Sequence, residues 1–270
     1  MRAFRLAYDG TDYRGFQRQP HGETVENALF EGLCELGVAF EDGVPTGYSA
    51  AGRTDAGVSA REQTVAFETP AWLSPRAVNS ELPSSIRAWA VADVSDSFHA
   101  TYDAAARVYR YFLYAPDADD DLAAEAASTL SGSHDFHNFT PDEDGTEREL
   151  SMSVHREGAF LVVDSRAGGF ARQLVRRLVS ALSAVADGRR SLTILDRALD
   201  AEPLSGPEGI APAAAAPLVL RSVRYPNAEF ETDDRALEAT RRVFEKRRQR
   251  RLAGARVAGA LSPPIDDAPE

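Results

Sequence analysis

Asp55 stands in AGRTDAGVSA (51–60), two residues after Arg53 and directly before Ala56-Gly57. A carboxylate this near an arginine, between a strand end and the apolar run QTVAFE, occupies a usual place for a functional site. The same Asp-Ala-Gly is also an ordinary turn signal, so the residues alone leave both readings open. Other familiar chemistries are missing from the sequence. It has no Walker A loop, no G-x-G-x-x-G, no G-x-S-x-G elbow and no H-E-x-x-H. His134 and His137 in SGSHDFHNFT form the one close histidine pair. Without a further ligand set nearby they read as part of a turn, and no metal is expected. The single cysteine, Cys34, rules out an internal disulfide and a Cys-based zinc site. Beside Leu33 it is expected to be a small buried apolar residue.

Forty-two acids against thirty bases give a net charge of −12, and Lys246 is the only lysine. An acidic chain ordinarily argues against a nucleic-acid partner. The distribution weakens that objection. From Ser165 to Ala186 there is no acid, while Arg166, Arg172, Arg176 and Arg177 are present. From Arg241 to Arg256 there are seven arginines and Lys246 against Glu245 alone. Acids gather instead in APDADDDLAAE and PDEDGTERE, which read as solvated loops. Abundant acid with scarce lysine is the composition of a protein working in concentrated salt, and points to a halophilic source. At about 1 M salt the Debye length is roughly 3 Å, so distant acids would repel RNA little. No apolar run of about 18 residues is present and MRAFRLAYDG has no signal-peptide apolar region, so a cytoplasmic protein is expected.

The elements that must position Asp55 follow from periodicity. FRLAY (4–8) alternates as a strand, and a polar, Gly-rich loop follows. Thr24 is placed to N-cap a helix with Val25, Leu29, Leu33 and Leu36 on one face and Gly37 as its stop. QTVAFE is a strand, Ser74-Pro75 opens a second helix, and SIRAWAVADV is another strand. ARVYRYFLY is a strand with Tyr109, Tyr111 and Leu113 on one side; LSMSV and FLVVDSRA form a hairpin across REGA. A helix from Phe170 to Val185 carries the stripe Phe170, Leu174, Leu178, Leu182 and Val185. A shorter helix spans Ser191 to Leu199, and LVLRSVRY closes the sequence of strands. The class is α+β, a mainly antiparallel sheet backed by helices. After Pro226 come a charged helix and a Pro-rich acidic end, SPPIDDAPE, expected to be disordered.

Gly52-Arg53-Thr54-Asp55-Ala56-Gly57 resembles the G-R-T-D-x-G hallmark of tRNA pseudouridine synthases of the TruA type. That family continues V-H-A where this sequence has Val58-Ser59-Ala60. The departure touches only what the histidine contributes, a local polar contact. YDGTDYRGFQRQ (8–19) is similar to the family's Y-D-G-x-x-Y-x-G-x-Q-x-Q opening. FHA (98–100) precedes RVYRYFLY, which looks like the K/R-x-Y-R-Y strand, and GGFARQLVRRLV (168–179) resembles the F-x-x-x-M-V-R helix. The resemblance covers residues 2–226. It implies Asp55 as the catalytic carboxylate, Tyr109 as the active-site tyrosine and Arg176 as the site arginine. Read without it, Tyr109 is more readily a core aromatic, and Arg176 is either a solvated basic helix face or a residue reaching into a cleft above the sheet.

The implied fold is that of pseudouridine synthases: two α/β lobes, 1–101 and 102–226, sharing a mixed sheet with a central RNA-binding cleft, followed by a charged extension, 227–270. The implied reaction converts uridine to pseudouridine at tRNA positions 38–40 in the anticodon arm, after the base is turned out of its stack. Asp55 would attack the ribose C1′ or the base, or help expel the uracil by removing a ribose proton. Arg176 would supply its counter-charge. Tyr109 would stack on the base and take the C5 proton, and Arg14, Arg18, Arg53 and Arg172 would hold the RNA backbone. No cofactor or metal is implied, and the partners are tRNA and a second copy of the chain. Two other readings are an RNA-binding module without chemistry, against which the intact Asp55, Tyr109 and Arg176 set argues, and a carboxylate glycosidase. The latter needs a paired acid, and no partner for Asp55 can be nominated.

Overall fold

Alternating burial along β6 (Ile86–Asp93), with Ile86, Ala88, Ala90 and Ala92 inward, shows how the strands here bury one face. The computed structural model describes residues 1–204, 206 and 209–261; the Pro-rich acidic end, 262–270, lies outside them. Before β6 come β1 (Arg2–Tyr8), α1 (Val25–Glu35), β2 (Phe40–Glu41), β3 (Val44–Pro45), β4 (Ser49–Ala50), β5 (Ser59–Phe67) and α2 (Pro75–Glu81). After it come β7 (Ala106–Tyr114), α3 (Asp120–Thr129), β8 (Gly132–Asp135), β9 (Glu147–Glu157), β10 (Phe160–Ala167) and α4 (Leu174–Ala186). The last elements are α5 (Thr193–Leu199), β11 (Leu218–Arg224), β12 (Glu231–Thr232) and α6 (Asp234–Leu261).

The expected α+β fold, a mixed and mainly antiparallel sheet backed by helices, is what forms. Among the described residues ten strands make one sheet, in the order β12-β6-β1-β5-β11-β7-β10-β9-β8, with β4 also on β5. Every pair is antiparallel except β5 with β11, where Val219 lies opposite Ser59 and Leu220 opposite Ala60. A parallel pair cannot be closed by a tight turn. Here its connection is everything from residue 68 to 217, so the second half of the sheet is built inside that crossover. One row then runs across the join: Ala60, Leu220, Tyr109 and Ser165 are successive partners. Tyr109 is thereby held two strands from the start of β5, which the Asp55 loop feeds. One buried cluster spans both halves, from Phe4, Leu6 and Leu29 to Leu161, Val163 and Leu178. No helix among the described residues is long and apolar enough to cross a membrane.

The capping signals act as expected. Thr24 accepts from the Asn27 N–H, and Ser74, with Pro75 behind it, accepts from the Ala77 N–H. Three expectations are corrected. The helix bearing Arg176 begins at Leu174 rather than Phe170, because Gln173 takes a left-handed conformation (φ 60°) and breaks the helical path. The acidic run expected as a loop contains α3: Asp119 accepts from the N–H groups of Asp121 and Leu122, and two further acids complement the positive end of the helix. Cys34 is exposed, since α1 turns Leu33 rather than its neighbour inward.

Candidate active site

The chain leaves β4 at Ala50, turns through residues 51–58 and returns as β5. Val58 N–H donates to the Asp55 carbonyl at 3.1 Å, and Gly57, third in that turn, has φ 83°. A positive φ there is what makes glycine the fitting residue. The loop after β1 grips this turn from outside. Phe16 N–H donates to the Thr54 carbonyl (3.0 Å), Gly57 N–H to the Tyr13 carbonyl (3.2 Å), and Tyr8 Oη shares a hydrogen bond with Thr54 Oγ1 (2.8 Å). Gly10 abuts Val58 so closely that a Cβ would lie 2.0 Å from its carbonyl oxygen. Ser59, standing where the resemblance has histidine, accepts the Gly10 N–H at 3.0 Å, which is a local polar contact. The side chain of Asp55 is thus presented by two loops packed backbone to backbone.

Arg176 reaches that side chain from α4. Burial of Leu174, Leu178 and Leu182 fixes the face of the helix and leaves Arg176 on its flank. There Nε donates to the Ala213 carbonyl (2.7 Å) and Nη1 to Asp55 Oδ2 (2.8 Å). The arginine side chain is 15% exposed and the aspartate 32%, so the pair is partly dry yet open on the carboxylate side. Tyr109 completes the group. It is buried, with its ring edge-to-face on Phe170 at 5.2 Å. Burial, with a further push from the Asp55 charge and against the pull of Arg107, raises its phenol to about 12. The phenol is therefore neutral at physiological pH. The sequence-based candidates Asp55, Tyr109 and Arg176 converge.

The remaining candidates differ in how committed they are. Arg53 is exposed and has no hydrogen bond or ion pair among the described residues. Arg14 is exposed, its side chain lying over Gly22. Arg18 stacks on Phe30 (4.7 Å) and donates to the Gly43 carbonyl, so it would have to leave both to meet a phosphate. Arg172 is held by Asp142 at 3.1 Å. His134 bonds the Ser131 carbonyl at 3.0 Å and His137 lies 3.3 Å from Asp135; among the described residues no cluster of three or more His, Cys, Asp or Glu is placed to hold a metal.

Sequence reasoning missed Arg107. Its buried guanidinium donates to the carbonyls of Ala51 (2.9 Å), Thr101 (2.7 Å) and Gly168. One side chain therefore ties the entrance of the Asp55 turn to the approach of α4. The signal was present: Arg107 shares its strand face with Tyr109 and Tyr111, so it had to point inward. Also missed was a clamp on Asp9, whose side chain is 4% exposed and meets Arg247 at 2.9 Å and Arg251 at 2.7 Å. Burial would raise this acid, but hydrogen bonds from Thr11 and Arg251 outweigh it and hold Asp9 below the usual carboxylate range.

Known proteins resemble the chain in sequence. The family profile described as tRNA pseudouridine synthase matches residues 126–226. A tRNA pseudouridine synthase A of Natronomonas pharaonis is 71% identical over 266 residues, covering 98% of this chain and 100% of that one. That of Haloarcula marismortui is 56% identical, covering 97% and 99%, and that of Methanothrix thermoacetophila 39%, covering 93% of each. The first two organisms are halophilic archaea, in keeping with the acid-rich, lysine-poor composition. Identity at this level, along nearly the full length of each partner, shows that the chain belongs to the tRNA pseudouridine synthase A family.

Proposed function

We propose that this enzyme isomerises uridine to pseudouridine at positions 38–40 in the anticodon arm of tRNA, with Asp55 as nucleophile. The observation that carries the reading is the Asp55–Arg176 contact, a carboxylate oriented by an arginine and still open to a substrate. The reaction breaks the bond from ribose C1′ to N1, forms one from C1′ to C5, releases the C5 proton and leaves a proton on N1. Atoms and electrons balance within the substrate, so the conversion calls for no redox partner. The target uridine must leave its stack, at a cost of a few kcal/mol. Arg53, with its unengaged guanidinium, and Arg14, Arg18 and Arg172 around the loops hold the flanking backbone. Tyr109 stacks on the displaced base as a neutral phenol. The lobes 1–101 and 102–226 meet over the β5–β11 join, 227–270 extends them, and the working form is a cytoplasmic homodimer with tRNA across both copies.

Incubation with tRNA tritiated at uridine C5 tests this. Release of tritium to water is expected with the parent tRNA and not with one lacking uridine at 38–40. Equal release from both would overturn the site assignment.

A further inference from the structure

α6 is 28 residues long, about 42 Å at 1.5 Å per residue. Only its first half is seated: Ala236 and Thr240 are buried, and the helix packs on α2 and β6. Asp233 caps its start and meets Arg76 at 2.9 Å. Further along, Arg247 and Arg251 fasten it to Asp9. Asp9 adjoins Gly10, which is wedged against Val58 three residues after Asp55. The helix is therefore fastened at mid-length, through Asp9, to the loop that packs on the Asp55 turn, and every residue from 248 to 261 is exposed.

At 100° per residue, Arg241, Arg242 and Lys246 fall on the side away from Thr240 and Arg247, and Arg250, one turn after Lys246, continues their row onto the flank. All four are exposed. Arg242 has a 3.9 Å contact with Glu238; the other three have no partner among the described residues. Arg242 with Lys246 and Lys246 with Arg250 are like charges four apart, which disfavours an isolated helix. A chain of net charge −12 has no need of this cationic face for solubility. An anionic partner explains it. In concentrated salt only contact-range pairs survive screening, and a fixed row of long cationic side chains meets that condition.

We propose that the outward face of α6 binds successive phosphates of the tRNA strand leading to the target uridine, its angle set by the clamp on Asp9. The inference rests on the tRNA reading above. A second copy docked on this face is the competing occupant, and like charges oppose contact between two α6 faces.

The test compares three full-length proteins. One carries Arg241→Gln, Arg242→Gln, Lys246→Gln and Arg250→Gln; another carries Arg241→Lys, Arg242→Lys and Arg250→Lys; the third is the parent. Glutamine and lysine are both good helix formers, and circular dichroism checks that the fold is kept. Affinity for C5-tritiated tRNA is measured against salt over the range in which all three stay folded. The glutamine variant should show a slope of log K on log salt shallower by about 3, at roughly 0.7–0.9 for each phosphate no longer neutralised. The lysine variant should keep the parent slope. Coincident slopes for parent and glutamine variant would overturn the proposal. So would a change from dimer to monomer in sedimentation at unchanged slope, which assigns the face to a second copy. Tritium release by the parent keeps the two readings apart: its absence sinks the catalytic reading, while its presence with coincident slopes sinks only the phosphate track.

Discussion

Asp55 and Arg176 lie 121 positions apart and meet at 2.8 Å between Oδ2 and Nη1. The aspartate belongs to the turn that feeds β5 and the arginine to the helix that follows β10, so the contact bridges the two sides of the parallel join. The Ala213 carbonyl takes the arginine Nε at the same time, leaving the guanidinium little freedom to turn.

Arg176→Met removes that restraint while keeping the apolar stem. Activity per tRNA should fall on the order of 10²-fold, the scale of a misplaced reacting group. Folding stability should change by under about 1 kcal/mol, since the carboxylate is a third exposed and solvent screens the pair. Arg176→Lys should lie between, because a point charge cannot hold both Asp55 and the Ala213 carbonyl in one geometry. Steady-state kinetics beside denaturation curves separates the two effects, and parental activity in the Met variant would remove the ion pair from the mechanism.

Arg107→Met should behave in the opposite way. Three backbone carbonyls lose their donor inside the protein, at about 1–3 kcal/mol for each one left buried and unpaired. A large loss of stability is expected first, with activity falling as the Asp55 turn loosens. Arg107→Lys should recover part of both. Chemical denaturation in concentrated salt reads the stability directly.

Gly10→Ala adds one methyl group and removes no chemistry. Its Cβ would sit 2.0 Å from the Val58 oxygen, so the two loops must part. Overpacking of this kind costs about 1–3 kcal/mol, and here it also moves the turn that holds Asp55. Reduced stability together with reduced tritium release is expected; an unaltered variant would show that the loops are not coupled.

Much of this was legible in the sequence, and the failures have physical causes. Thr24 and Ser74-Pro75 mark their helices because a side-chain oxygen or a missing N–H suits a helix start whatever lies around it. Asp119, Asp120 and Asp121 are the same signal, obscured because three acids in a row suggest solvent before they suggest a cap and first turn. Gln173 gives no local warning of its left-handed backbone, so the start of α4 could not be read, nor could the packing of Phe170 on Tyr109. The approach of Arg176 to Asp55 depends on the register of two strands far apart in the chain. Only the family resemblance suggested it, since periodicity does not carry contacts of that range.

Tyr109 and Tyr225 have phenols raised to about 12 by burial, and Tyr8 and Tyr48 are pushed up by the same cause. A folded-state value above the unfolded one near 10 gives stability that is whole below pH 10 and lost as pH climbs through about 12. Tyrosinate absorbance and circular dichroism should therefore change together in that window. Independent titration of these tyrosines near pH 10 in a still-folded protein would contradict their burial.

Asp55→Asn with C5-tritiated tRNA tests the catalytic assignment most directly. Asparagine keeps the shape of the side chain but has neither the charge nor the nucleophilic oxygen. No detectable tritium release is expected, while tRNA affinity should change by less than about tenfold, roughly 1.4 kcal/mol. If the variant kept even a few per cent of the parent's release, Asp55 would not be the nucleophile.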